Sequence, residues 1–340
     1  MPSGGEFAGS GKCACRTGPL GCQEIPVTDK NAPILVTGAA GLVGQNLCLR
    51  LHEAGYSNIV GIDKHPHNTN ILRERQPWVR VIEADLAEPG DWQREVALAH
   101  TLVLNQAQIG GLDWTDFERN NITATRNILD AIDRENPPFI VHISSSVVNS
   151  EADDFYTRSK SAQEDMVLAS GLPLCVLRPT LMFGWFDRKH LGWLRRLMDK
   201  VPVFPIPSHG RYIRQPLYAG DFCRVIMGCI QQRPAGAVLD ISGHEKIAYV
   251  DLIRTIKQET GARARIVHIP YWAFWLSLWA AELVSRNPPF TTRQLEALVI
   301  PEEFPVVDWP GMFDIQPTGF RDAVRETFTH PAHSKTLLEF

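Results

Sequence analysis

One stretch limits what this chain can fold into: Ile34-Leu35-Val36-Thr37-Gly38-Ala39-Ala40-Gly41-Leu42-Val43-Gly44. It reads as a buried strand that turns sharply on glycines and feeds a helix. Gly38, Gly41 and Gly44 leave no Cβ where the backbone must come close to a ligand. A helix opening near Leu42 points its free N–H groups and positive dipole end at that space, which suits a pyrophosphate. A glycine triplet alone also fits an ordinary strand-to-helix turn. Here an apolar run precedes it, an amphipathic run follows (Leu42, Val43, Leu47, Leu51), and an acid ends the next strand. That context points to dinucleotide binding.

The 340 residues exceed what one such unit needs, so a smaller lobe is expected beside it. A formal net charge of −4 argues against a nucleic-acid partner, which needs a concentrated basic face. No apolar run reaches the ~20 residues of a transmembrane segment. Cys48, Cys175, Cys223 and Cys229 lie in apolar segments, as reduced thiols of cytoplasmic proteins do. Cys13, Cys15 and Cys22 lack a fourth ligand at metal spacing, so no metal site is expected. Residues 1–30 have no secretory apolar region and read as a disordered leader.

Strands and helices then alternate. Residues 33–37 predict a first strand and 42–54 a first helix; 58–63, 79–82 and 100–104 predict three more strands. A helix over 115–135 carries Ile122, Thr125, Ile128, Leu129 and Ile132 at helical spacing and ends at Asn136-Pro137-Pro138. A fifth strand covers 139–143, a helix starts near Asp153, and a sixth strand covers 174–179. Later come a helix (220–231), a strand (237–241), a helix (248–259) and a strand (265–268). The pattern predicts an α/β protein: a Rossmann-type doubly wound parallel sheet with a smaller C-terminal α/β substrate lobe. The core should span 31–180 and the lobe 181–340, with 212–241 returning to the core.

Strand ends carry the chemistry. Asp63 closes the second strand, where an acid accepts hydrogen bonds from ribose hydroxyls and repels a 2′-phosphate. It favours NAD over NADP, although Lys64 and His65 follow at once. Asp85, after the third strand, is either an acceptor for the adenine amino group or a turn residue. Asn105 opens a polar loop near the nicotinamide ribose. Ser144-Ser145-Ser146 follow the fifth strand, and Tyr156 and Lys160 share one helix face. A tyrosine titrates near ~10, so acting as a base at neutral pH means lowering it by ~3 units, or ~4 kcal/mol. An ammonium ~4–5 Å away supplies about 3–4 kcal/mol at an effective dielectric near ~20. A Tyr-x-x-x-Lys match is common by chance; on this helix, behind serines, it points to proton transfer at a hydroxyl while hydride passes to nicotinamide.

The combination resembles the extended short-chain dehydrogenase/reductases, in particular the NAD-dependent epimerase/dehydratase group. The resemblance rests on 37–44, Asp63, Asp85-Leu86, Asn121 to Asn127, the serines, Tyr156 with Lys160, Arg178-Pro179-Thr180, and the segments 214–221 and 316–323. It implies NAD held by Gly38, Gly41, Leu42, Val43, Gly44, Asp63, Asp85, Leu86, Asn105, Tyr156 and Lys160. It also implies Tyr156 as acid/base, Lys160 lowering its pKa, and Ser145 or Ser146 orienting the substrate hydroxyl. Three features depart from the family. The loop from the serines to Tyr156 is short, Asn105-Gln106-Ala107 replaces a His-Leu-Ala type of segment, and no Asp-Glu pair follows the serine, which disfavours dehydration.

In the second half, Arg211 and Arg214 are either a clamp for a substrate phosphate or strand-edge ion pairs. Phe183 either lines the substrate pocket or packs in the core. Trp272, Trp275 and Trp279 fall on one helical stripe, expected to pack on the lobe or on a subunit partner. The leading expectation is an NAD-dependent epimerase of a nucleotide-activated sugar, forming a homodimer through 115–135 and 153–169. One alternative is a dehydrogenase or reductase of a sterol-like or other bulky alcohol. Another is a non-catalytic dinucleotide-binding subunit.

Overall fold

The computed structural model describes residues 29–150, 153–284, 290–300 and 303–339; residues 1–28, with Cys13, Cys15 and Cys22, lie outside them. Side chains alternate across each strand and so build two faces at once. In β1 (Ile34–Thr37), Ile34 and Val36 enter one layer and Leu35 the other. β2 (Ile59–Asp63), β3 (Val79–Glu83), β4 (Thr101–Leu104), β5 (Phe139–Ile143), β6 (Leu174–Pro179) and β7 (Val238–Ile241) complete the sheet. Its order is β7-β6-β5-β4-β1-β2-β3, all parallel. The order reverses between β1 and β4, so their carboxyl ends open a crevice there.

Connecting helices cover both faces. α1 (Leu42–Glu53) packs with the later helix Ala219–Gln232 through Leu47, Leu51, Phe222 and Ile226. α2 (Pro66–Arg75) and α3 (Trp92–Ala97) flank β3. α4 runs over 114–130, and its middle, Glu118–Thr123, widens into a π-helical stretch. It stops short of the expected residue 135, ahead of Pro137 and Pro138, which carry no amide hydrogen to extend it. α5 (Phe155–Leu168) starts where Asp154 accepts from the Thr157 amide at 2.9 Å. Ala124, Ile128 and Val167 close the second face.

A second core gathers Phe183, Ile206, Tyr212, Ile253 and Val324, beside the parallel pair Val203–Pro207 and Arg265–Ile269. The aromatic helix Tyr271–Val284 packs one face on the lobe. Trp275 donates to Glu296, and Glu282 accepts from Thr292, so that face leans on the helix Thr292–Val299. Trp272, Leu276, Trp279 and Leu283 remain exposed. A helix packed on one side leaves its opposite stripe in solvent. No helix among the described residues is long and apolar enough to cross a membrane.

Gly44 is where α1 seats on the turn after β1. A Cβ there would lie 2.4 Å from the Gly38 carbonyl oxygen and 2.5 Å from the Ala39 Cα, both backbone atoms. Gly44→Ala is therefore expected to destabilise the protein by about 2–4 kcal/mol, because neither neighbour can rotate away. Urea and thermal unfolding measure this; an unchanged midpoint would contradict the close backbone seating.

Candidate active site

The turn after β1 is built for close approach. Gly38 has φ +62°, and a Cβ on it would sit 2.9 Å from the Gln106 Cα. Gly41 caps α1 without any side-chain hydrogen bond, and a Cβ on it would meet only the Gly38 oxygen within 4 Å, at 3.3 Å. The first-turn amides, Leu42 and Val43 among them, thus have no side-chain acceptor. The Val43 side chain itself lies in the core.

Asp63 faces this turn. Its two oxygens accept from the Ala40 and His65 amides, each at 3.0 Å. Burial pushes the carboxyl above its usual range, and those amides pull the other way. Lys64 turns to Asp85 at 3.6 Å and to Asn120 at 2.6 Å. Burial pushes Asp85 up, but the Ala87 amide, Arg119 and Lys64 outweigh it and hold the acid below its usual range. The Leu86 side chain is core, and its carbonyl takes the Asn127 amide at 3.0 Å. Asn105 closes the crevice by donating to the Gly38 carbonyl at 3.1 Å, while its amide reaches the Thr37 hydroxyl at 3.0 Å.

Behind this crevice lies the Ser/Tyr/Lys group. Ser145 is buried and pulls the Tyr156 phenol's pKa down, whereas Ser146 opens the short 3-10 turn Ser146–Asn149. Lys160 is 1 % exposed, and its ammonium donates to the Ile143 carbonyl at 2.9 Å and to Gln163 Oε1 at 2.5 Å. Burial lowers its pKa to about 7, with Glu164 pulling upward. Burial also raises the Tyr156 phenol, Asp154 adds to that, and the Ser145 bond opposes it. Lys160 is not among the groups that move the phenol in this arrangement. In this arrangement the ammonium is turned to a carbonyl and an amide.

Glu164 escaped the sequence reading, and the partners of Arg178, Asn149 and Asn121 were not legible there. Glu164 is buried and forms a bidentate pair with Arg178, and it accepts the Ser144 hydroxyl. Asn149 bridges Arg178 at 3.1 Å and Asp240 at 2.9 Å, tying the serine turn to β6 and β7. Asn121, inside the π-helical stretch, pairs with both backbone groups of Gln108 and with Ser159. π-helical insertions often sit at functional sites. Nothing in the sequence pattern separates them from ordinary helix positions.

Three expected substrate contacts look different in the structure. Arg214 is buried and directs its guanidinium at the carbonyls of Ile213, Leu298 and Ile300, which closes the end of the helix Thr292–Val299. Arg211 is exposed, with its amide on His209. The two do not form a clamp. Phe183 is 1 % exposed and packs on Tyr218 and Phe320, a core role.

The donor set suits a dinucleotide. Gly41 leaves room at an uncapped helix end, Asp63 offers acceptors to a ribose diol, and Lys160 and Tyr156 lie across the crevice. The sequence profile of the NAD dependent epimerase/dehydratase family matches residues 34–241. A ceramide reductase of Caulobacter vibrioides is 24 % identical over 245 residues, covering 72 % of this chain and 75 % of the relative. A 3 beta-hydroxysteroid dehydrogenase/Delta 5→4-isomerase of Mycobacterium tuberculosis is 26 % identical over 207 residues, 52 % of this chain and 54 % of its own length. The UDP-glucuronic acid 4-epimerase of Bacillus cereus, crystallised with NAD, superposes with TM-score 0.66 at 20 % identity, covering 86 % of this chain and 96 % of that one.

Two predictions separate binding from folding. Gly41→Ala should unfold within a few degrees of the parent but lose at least tenfold in NAD affinity by calorimetry, since its Cβ fills the approach side. Lys160→Met should be more stable at pH 7 by on the order of 2 kcal/mol. The native lysine titrates near 7 against 10.5 when free, so the unfolded chain binds the extra proton between those values. The parent is therefore penalised as pH falls toward 7, and the advantage of methionine should shrink as pH rises toward 10. Melting temperatures across that range measure it.

Proposed function

The chain belongs to the NAD dependent epimerase/dehydratase family, and from that premise we propose that it oxidises and reduces a secondary hydroxyl carbon. A bound NAD supplies the hydride acceptor. Tyr156 takes the hydroxyl proton and Ser145 holds the same oxygen; the match of residues 34–241 to the family, with the buried Ser145 acting on the phenol, carries this reading. Because burial raises the phenol, it works as a base only when positive charge stands beside it. A protonated Lys160 brought to ~4–5 Å contributes about 3–4 kcal/mol at an effective dielectric near ~20. Asp63 supports NAD over NADP, with Lys64 engaged by Asp85 and Asn120 rather than free at the ribose.

For the substrate we favour a nucleotide-activated sugar with hydride returned to the opposite face, an epimerisation. Likeness of fold to the UDP-glucuronic acid 4-epimerase supports it, and the absence of an acidic pair after Ser145 argues against dehydration. A second reading, net oxidation or reduction of a bulky apolar alcohol, is favoured by one observation. Arg214 is committed to carbonyls, Arg211 stands apart, and the lobe exposes Trp272, Leu276, Trp279 and Leu283. A homodimer through α4 and α5 would cover Phe155 and Leu168, which are exposed on α5.

Incubation with UDP-glucuronate and UDP-glucose, followed by NMR, should show isomer formation without net NADH. Net NADH with a sterol or long-chain alcohol, and no isomer, would select the second reading. Tyr156→Phe should keep NAD binding within threefold and lower turnover by about 10²–10⁴. Unchanged biological activity of that variant would leave only a non-catalytic, dinucleotide-binding role.

A further inference from the structure

Lys160 ends a continuous hydrogen-bonded chain of buried side chains that no part of the mechanism above uses. Its ammonium donates to Gln163 Oε1 at 2.5 Å; Gln163 Nε2 donates to Thr125 Oγ1 at 2.8 Å. The same hydroxyl oxygen accepts Gln106 Nε2 at 3.1 Å, and Gln106 Oε1 accepts the Thr37 hydroxyl at 2.5 Å. Thr37 precedes Gly38, so the chain runs from the turn after β1 to the lysine. Thr37, Thr125 and Gln163 are fully buried, and Gln106 is 8 % exposed.

The ammonium dictates the direction of the first two links. A protonated lysine has donors only, so Gln163 must present its oxygen to it and its nitrogen to Thr125. Thr125 accepts from both amides here, and the Gln106 oxygen faces Thr37. A neutral amide oxygen stabilises the buried cation without cancelling its charge, whereas a carboxylate would pair with it. We propose that Gln163 is a positioning residue that keeps the Lys160 ammonium protonated and aimed, and that Thr125 and Gln106 anchor it to the β1 turn. This rests on the reading of Lys160 as part of a dinucleotide and proton-transfer site.

Other ionisable groups stand around Lys160. Glu164, on the same helix, is paired with Arg178 of β6. His142 of β5 is fully buried, and burial and the lysine charge hold it well below its usual value. Tyr156 lies above its usual range. From α4 the neighbours are the uncharged Asn121 and Thr125.

The test measures NADH affinity by fluorescence titration from pH 5.5 to 9 for the full chain, Gln163→Leu, Gln163→Glu and Thr125→Val. Affinity in the parent should fall as pH rises past the value near 7 at which Lys160 loses its proton in the free protein. Gln163→Leu should move that midpoint down by about one pH unit, a tenfold loss of proton affinity. Thr125→Val should move it down by less, and Gln163→Glu should move it up. Melting temperature against pH, without NADH, should show the same displacements. The proposal is overturned if both Gln163 variants keep the parent midpoint, or if they weaken NADH by the same factor at every pH. If Gln163→Leu does not fold, the upward shift in Gln163→Glu decides. Failure of NADH to bind the parent at any pH would instead sink the dinucleotide reading beneath it.

Discussion

At the carboxyl end of β1 the backbone comes within contact distance of its own next helix and of the residues leaving β4. Gly44 lets α1 sit on the Gly38 carbonyl, and Gly38 itself adopts a left-handed conformation against Gln106. Everything functional is measured from that contact. It points the open end of α1 into the crevice, places Asp63 where two amides can hold it, and brings Asn105 and Gln106 beside Thr37. A side chain at either glycine would push apart two backbones that have no freedom to yield.

From that point polarity runs inward. The crevice is lined by groups whose hydrogen bonds are mostly satisfied internally, as burial requires. Asp63 is capped by amides, Asn121 by the Gln108 backbone, and Glu164 by Arg178 and Ser144. Lys160 is the exception in kind: a cation in a nearly dry place, balanced by one carbonyl and one amide. Burial costs it proton affinity, so its charge at neutral pH depends on what surrounds it. The phenol nearby is shifted the opposite way.

Strong patterns in the sequence survived into the structure. The strand-helix alternation through residue 179, the glycine turn, the acid after β2 and the four-residue spacing of Tyr156 and Lys160 are local, and local periodicity sets them. In the second half the elements expected at 220–231, 237–241, 248–259 and 265–268 are present, but the roles of single side chains were not legible, for a physical reason. There the contacts join residues far apart in sequence: Arg214 reaches the end of the helix Thr292–Val299, and Phe183 reaches Phe320. An exposed arginine and a buried one carry the same letter, so Arg211 and Arg214 looked alike.

The amino-acid order by itself therefore determined the parallel α/β sheet and the glycine turn between β1 and α1, because each follows from periods of two or 3.6 and from glycine spacing. Only the tertiary structure decided which serine touches the phenol, that the lysine faces Gln163, and that α4 loosens into a π-helical stretch around Asn121. It also decided which aromatic residues stay outside on the helix Tyr271–Val284. Those outcomes depend on burial and on which acceptor each donor finds, whether three positions away, as for Lys160 and Gln163, or 38, as for Asn121 and Ser159. No short-range pattern encodes them.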